Sequence, residues 1–263
     1  MIVACLKWVT HPGEPNDARF AGMSPADQSA LEFALAQAAL SGAEVTVVTV
    51  GPPAAESVLR DAVACGAHHA IRVHAPSPLT SAQVAEAISA AVPSAQWVWC
   101  GDYSLDRGTG SVPAFLAATL GAQQALGVIA VDPCDHGQVT ATRRLDGGRR
   151  EVLLVSAPAV ISVEGATAVL RRAGLGALRS AAQFQIDVRQ PSSAAHAEDA
   201  VICPYRPRAR ALAAPQGTHP LDRLRALTDA SSAAPAHGES VVLAPTDAAV
   251  RIVATLRRWG YLE

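Results

Sequence analysis

Short runs rich in valine and isoleucine alternate with longer stretches of helical periodicity from the first residue onward. The apolar runs predict strands at 2–9 (I-V-A-C-L-K-W-V), 44–50 (E-V-T-V-V-T-V), 70–74, 96–100 (Q-W-V-W-C) and 126–131. Helices are predicted between them, near 24–41, 53–65, 80–92 and 112–120. Leu31, Ala34, Leu35 and Ala38 recur at the spacing of one buried helical stripe. The start of that helix is marked by Ser24 as a candidate N-cap, Pro25 at the first helical position and Asp27 in the first turn. Strands that are apolar on both sides and alternate with helices imply a mostly parallel, doubly wound α/β sheet covered on both faces.

From 137 to 163 the pattern changes. Asp146-Gly147-Gly148 separates two strand-like runs and reads as a hairpin turn, so an antiparallel addition to the sheet is expected. Beyond about 187 the chain is rich in Pro, Ala, Ser and Arg and too weakly apolar for a core of its own. The expected organisation is therefore an α/β domain over 1–187 and an extended C-terminal arm over 188–263. The arm closes with an amphipathic helix in which Thr246 is the expected cap and Val250, Val253 and Leu256 share one side.

Composition narrows the classes. The 21 Lys+Arg balance 23 Asp+Glu, and the arginine pairs are scattered, which argues against a nucleic-acid-binding face. No apolar run reaches the roughly 20 residues of a membrane span, and the first residues read as a strand instead of a signal peptide, so a cytoplasmic location is expected. Five cysteines without a C-x-x-C pair do not form a disulfide framework, and Cys5 and Cys100 read as core thiols.

In an open parallel sheet, ligands bind beyond the carboxyl ends of the strands. That rule selects C-L-K after the first strand, M-S-P-A-D at the first helix, V-G-P after the second strand and G-D-Y-S-L-D-R-G-T-G-S-V-P after the fourth. In the last of these, Gly101 is expected to allow a sharp exit from the strand. Gly108 and Gly110 would let backbone N–H groups approach a ligand, Arg107 would add a charged donor, and the Ser111-Val112-Pro113 helix start would point orphan N–H groups at the same place. An ordinary strand-to-helix loop fits that stretch equally well. Asp102 and Asp106 read as solvent-facing acids more readily than as an acid/base pair, and His68-His69 as a strand start more readily than as metal ligands. No P-loop, no G-x-G-x-x-G after the first strand and no nucleophile elbow occurs.

Taken together, V-A-C-L-K at 3–7, M-S-P-A-D-Q-S-A-L-E at 23–32, V-T-V-G-P at 48–52, G-A-H-H-A at 66–70, G-D-Y-S-L-D-R-G-T-G-S-V at 101–112, and L-D-G-G-R-R-E-V with A-P-A-V-I-S-V within 145–163 resemble the β subunit of an electron transfer flavoprotein. The resemblance implies the adenine nucleotide alpha-hydrolase-like fold. It also implies a non-catalytic electron carrier that pairs with an electron transfer flavoprotein α subunit, which holds most of the redox-active FAD. AMP would be bound structurally in this chain, or a second FAD in its place if the protein is of the electron-bifurcating type. Electrons would come from a flavin-dependent or other dehydrogenase and pass to a downstream acceptor.

Carried over residue by residue, the implied nucleotide contacts are Cys5, Leu6, Lys7, Ser24, Pro25, Ala26, Asp27, Val50 and Gly51. The fourth loop would add Gly101, Asp102, Tyr103, Ser104, Leu105, Asp106, Arg107, Gly108, Thr109, Gly110, Ser111 and Val112. Partner recognition is implied for Glu164, Arg171 and Leu175. The chain departs from the family at Ala26, where an aromatic residue is usual, and at Asp102, where a lysine is usual. Its 164–175 segment also lacks the usual Asn, Pro and aromatic, which points away from an acyl-CoA dehydrogenase and toward a lineage-specific partner such as a mycofactocin-associated system. A stand-alone universal-stress-like nucleotide module and a scaffold with a decayed nucleotide site are the alternatives.

Overall fold

A computed structural model describes residues 1–10, 21–75, 79–133, 138–191, 218–227 and 241–262. The chain divides into two compact units, Met1–Ala200 and Val201–Glu263. The first is built on a nine-stranded sheet in the order β7-β6-β5-β8-β4-β1-β2-β3-β9. Its parallel centre comprises β1 (Ile2–Cys5), β2 (Val45–Gly51), β3 (His69–His74), β4 (Trp97–Gly101) and β8 (Ala159–Val163). Two helices belong to each face: α1 (Pro25–Ser41) and α2 (Glu56–Ala64) on one, α3 (Ser81–Ala91) and α4 (Val112–Leu120) on the other.

The strand sequences dictate this layering. Along β1, Ile2 and Ala4 enter the core shared with α1 and α2, while Val3 and Cys5 enter the core shared with α3 and α4. In β4, Trp97 and Trp99 take the first side, Val98 and Cys100 the second. A strand that buries both faces needs no polar alternation, which is why these segments read as continuous apolar runs. The predicted stripe of α1 is buried as expected, with Leu31 and Ala34 fully covered. Trp99 stacks on Phe33 of that helix at 5.4 Å between ring centroids and donates from Nε1 to Gln37 at 2.9 Å. The large indole is thereby buried with its one donor satisfied.

Several boundaries move. The first strand stops at Cys5, short of the expected Val9, because the Lys7 amide turns to the Asp27 carboxylate instead of continuing the ladder. The second predicted helix begins as a 3-10 turn, Pro53–Ala55, since Pro52 and Pro53 cannot supply helical amides. The fifth strand, β5, is longer than expected, Gln123–Pro133, and changes register at Gly127, whose φ is 66°. Its first part pairs parallel with β8 and its second part antiparallel with β6 (Gln138–Arg144).

The expected hairpin is present: β6 and β7 (Arg150–Ser156) flank Asp146–Gly148, with Gly147 and Gly148 both left-handed. The correction concerns β8, which the sequence reading grouped with the antiparallel addition. It instead returns to the middle of the sheet, parallel to β4 and β5, and all five of its residues are buried. Two elements of the first unit were not foreseen. Helix α5 (Leu175–Ala182) receives Arg60, whose guanidinium donates to the carbonyls of Ala181, Ala182 and Phe184. Strand β9 (Asp187–Arg189) pairs with β3 at the sheet edge.

In the second unit the described elements are α6 (Pro220–Leu227) and α7 (Pro245–Arg258). The latter includes the expected terminal helix, but its N-cap is Ala244 and not Thr246, which lies in the first turn behind Pro245. Residues 192–217, 228–240 and 263 of the predicted arm, and Cys134 and Cys203, lie outside the described residues.

Leu31 is fully buried and Leu40, on the same helix, is exposed. Leu31→Ala is expected to lose about 2–5 kcal/mol in urea unfolding, and Leu40→Ala to stay within about 0.5 kcal/mol of the parent.

Candidate functional site

At the carboxyl edge of the parallel strands, the loops after β1, β2, β3 and β4 surround a cavity of about 430 Å³. Its apolar wall includes Cys5, Val50, Val84, Ile88 and Cys100, and its polar side is formed by Lys7, Ser24, Asp27 and the loop after β4. Such a mixture, mainly apolar with a few converging polar groups, is the character of a small-molecule site.

Asp27 organises one end. Ser24 Oγ accepts from the Asp27 amide at 3.0 Å, as the capping pattern predicts. The Asp27 side chain, however, is buried and does more than complement the helix dipole. Its carboxylate accepts from the Lys7 amide at 3.0 Å and from the Gly101 amide, so one side chain joins the starts of two loops to the start of α1. Burial raises its pKa to about 6, against hydrogen bonds from Lys7, Ser24 and Gly101 that work the other way.

The same contact explains Gly101. A Cβ there would lie 2.6 Å from Asp27 Oδ1 and 3.0 Å from Ala26 Cβ. The glycine is required by close approach of the α1 start, where the sequence reading gave it to a sharp exit. Gly110 is more constrained still, since a Cβ would stand 1.8 Å from the Asp102 carbonyl.

The loop after β4 closes on itself. Ser104 and Thr109 form an antiparallel bridge, the Gly108 amide donates to Ser104 O at 2.8 Å, and Gly108 takes a left-handed φ of 64°. Lys7 Nζ reaches across to Ser104 Oγ at 2.7 Å and Asp106 at 2.5 Å. Partial burial of Asp106 acts against this, but the Lys7 and Ser104 hydrogen bonds hold its carboxyl below the usual value. Lys7 is the one lysine in the 263-residue sequence, the other 20 basic residues being arginines. Arg107 donates to the Leu79 carbonyl just before α3, and Ser111 Oγ to Ser81 Oγ at 2.9 Å, so the starts of α3 and α4 are tied together beside the cavity.

Most of the sequence-derived residues meet here: Cys5, Leu6, Lys7, Ser24, Asp27, Val50, Gly51, Gly101, Tyr103, Ser104, Leu105, Asp106, Arg107, Thr109, Gly110 and Val112 all line the cavity. Pro25, Ala26, Asp102, Gly108 and Ser111 do not. Pro25 and Ala26 pack instead against Gly165. Asp102 is raised in pKa by partial burial and by the nearby charge of Glu164, which places it toward the loop after β8. Gly108 and Ser111 act through cavity-lining residues, bonding Ser104 and Ser81 respectively. The sequence reading missed Trp8, Pro52, Ala55, Leu79, Ser81 and Cys100 among the lining. The Thr80–Gln83 capping box at α3 was the available signal, because it marks a second helix start at the same edge.

The three residues assigned to partner recognition separate. Arg171 is engaged in a bidentate pair with Glu32, with contacts of 2.8 to 3.2 Å, so its guanidinium anchors the loop after β8 onto α1. Glu164 pairs with Arg144 at 3.5 Å. Leu175, at the start of α5, is exposed, and Val169 in the preceding loop, which the sequence reading passed over, is 90% exposed. Among the described residues no group of three or more His, Cys, Asp or Glu side chains is placed to hold a metal ion, and no helix is long and apolar enough to cross a membrane.

The elevated Asp27 pKa has a sign. A carboxyl whose folded value, about 6, exceeds 3.8 favours folding most when protonated, so its contribution is complete below about pH 3.8 and is lost as pH rises through 6. The difference amounts to about 3 kcal/mol. Apart from a constant cost of altered hydrogen bonding, Asp27→Asn is expected to gain stability relative to the parent between pH 4 and pH 7, measured by thermal unfolding across that range. A flat difference would contradict the burial of an ionisable Asp27.

The sequence profile of the electron transfer flavoprotein domain matches residues 17–187. Protein FixA of Rhizobium meliloti is 34% identical over 172 residues, covering 60% of this chain and 58% of the relative. Protein FixA of Bradyrhizobium diazoefficiens is 33% identical over 192 residues, covering 69% and 66% respectively. The electron transfer flavoprotein subunit beta of Thermoanaerobacterium thermosaccharolyticum is 31% identical over 144 residues, covering 53% of this chain and 55% of the relative. The alignments thus span less than two thirds of each of these relatives' length. With the nine-stranded α/β sheet and the loop cluster at its carboxyl edge, the match over most of the first unit establishes that this chain belongs to the electron transfer flavoprotein family and is of its β-subunit type.

Proposed function

We propose that the chain is one subunit of a two-chain electron carrier, with its cavity holding an adenine nucleotide and its partner, an α-type subunit, holding the redox-active FAD. The observation that carries this reading is the convergence of two helix starts, those of α3 and α4, with Lys7 and a glycine-rich loop on one cavity. Orphan amides at helix starts and a small cationic set suit a phosphate, and the apolar wall beside them suits a base. Gly110 has no room for a side chain, so backbone forms that part of the cradle. Lys7 already pairs with Asp106, which leaves the backbone amides around Gly110 and the start of α4, together with Arg107, to carry most of the phosphate recognition.

AMP is the ligand this arrangement would take, or the AMP half of an FAD if the protein is of the bifurcating type. The flavin supplies the electron chemistry when bound; the residues of this chain position, enclose and exclude water. Electrons would enter from a dehydrogenase and leave to a downstream acceptor, with the exposed Val169 in the loop after β8 and Leu175 at the start of α5 facing the dehydrogenase. The departures at Ala26 and in the 164–175 segment support a lineage-specific dehydrogenase, such as a mycofactocin-associated one, over an acyl-CoA dehydrogenase.

The direct test is extraction of nucleotide from the chain co-purified with an α-type subunit. One equivalent of AMP is expected, FAD indicates the bifurcating variant, and an empty protein refutes the reading. The single lysine gives a second test: an amine-reactive reagent has only Lys7 and the N-terminus to modify in this chain, and AMP is expected to slow labelling at Lys7 alone. Arg107→Ala is expected to weaken AMP binding roughly tenfold or more in calorimetry, from loss of one charged donor.

A further inference from the structure

Cys5 and Cys100 stand opposite one another on neighbouring parallel strands, their Cα positions paired in register at the carboxyl ends of β1 and β4. In-register residues of adjacent strands point to the same face and lie about 4.8 Å apart, inside the roughly 4.4–6.8 Å Cα window that a disulfide needs. Both thiols are free, both enter the core shared with α3 and α4, and both line the cavity. We propose that this pair is an oxidisable dithiol in the cavity wall, closed to an intramolecular disulfide by hydrogen peroxide that enters through the cavity.

Cys5 is the more accessible of the two, 8% against 4% exposed, and takes the first step. Its sulfur attacks the peroxide O–O bond, giving a sulfenic acid and one water. Cys100 then attacks the sulfenic sulfur, the S–O bond breaks, and the S–S bond forms with release of a second water. Two thiols lose two electrons and two protons in all, and the peroxide is reduced to two waters. The neighbouring Cys5 and burial raise the Cys100 thiol well above its usual range, so Cys100 rests as the protonated thiol. Cys65 is set apart: it donates to the Arg171 carbonyl away from the cavity and serves as an internal comparison.

The test uses the full-length chain as purified with its partner subunit. It is exposed to hydrogen peroxide near stoichiometry, denatured, alkylated and digested for mass spectrometry. A Cys5–Cys100 linked peptide is expected, with two of the five thiols lost and Cys65 still alkylated. Peroxide oxidation that spares the pair, joins either residue to another cysteine, or drives Cys5 to higher oxides overturns the proposal. In Cys100→Ser, Cys5 is expected to stop at the sulfenic acid and be trapped by dimedone; if that variant fails to fold, the parent peptide map decides alone. The cavity route rests on the nucleotide reading for one further arm. AMP at ten times its dissociation constant should slow linkage about tenfold. Binding without protection refutes entry through the cavity, whereas absence of AMP binding refutes the nucleotide reading and leaves the linkage itself still measured.

Discussion

One buried carboxylate holds the functional edge of this protein together. Asp27 receives the amides of Lys7 and Gly101 while its own amide is capped by Ser24, so the ends of β1 and β4 and the start of α1 share a single hub. Each amide would otherwise point from a strand end into a loop with no ladder partner, and an unpaired buried amide is costly. The charge is costly to bury too, as its raised pKa shows, but three hydrogen bonds offset much of that cost. The arrangement fixes where Lys7 leaves the strand, and the direction of Lys7 in turn fixes the loop containing Ser104 and Asp106.

Much of the framework was legible in the sequence because its elements carry strong local signals. Strands buried on both faces appear as runs of valine and isoleucine, and α1 declares its start through Ser24 and Pro25. What the sequence obscured was set by tertiary geometry. Residues 159–163 look like the third member of an antiparallel group, since only two residues separate them from β7; nothing local announces that they cross back between β5 and β4. The first strand reads past Cys5 because Leu6, Trp8 and Val9 remain apolar, while the event that ends it is a hydrogen bond from a helix 20 residues away.

The site shows the same division. Sixteen of the 21 nucleotide contacts implied by the resemblance do line the cavity, and the five that do not are Pro25, Ala26, Asp102, Gly108 and Ser111. The sequence suggests a sharp turn for Gly101 and close approach to a ligand for Gly110, yet neither has a positive φ, and Asp27 and the Asp102 carbonyl fill the space a Cβ would need. Only Gly108 is used for its left-handed conformation. A sequence marks that a glycine is present and is silent on which of these two reasons applies.

Arg171 illustrates how a motif residue can be positioned for a task other than the one first assigned. Its guanidinium forks onto both oxygens of Glu32, and its amide also donates to Glu32, so three donors of one residue are committed to one carboxylate. Partial burial of Glu32 opposes ionisation, but these donors hold its pKa below the ordinary value and keep the pair charged across the neutral range. A partner seeking Arg171 would first have to break that fork and leave Glu32 uncompensated beside α1. The apolar side chains Val169 and Leu175 carry no such debt, since their surface is already in water and gains by being covered. In the proposed contact with a dehydrogenase, burial would therefore fall to Val169 and Leu175, with the Arg171–Glu32 fork holding the segment between β8 and α5 in shape.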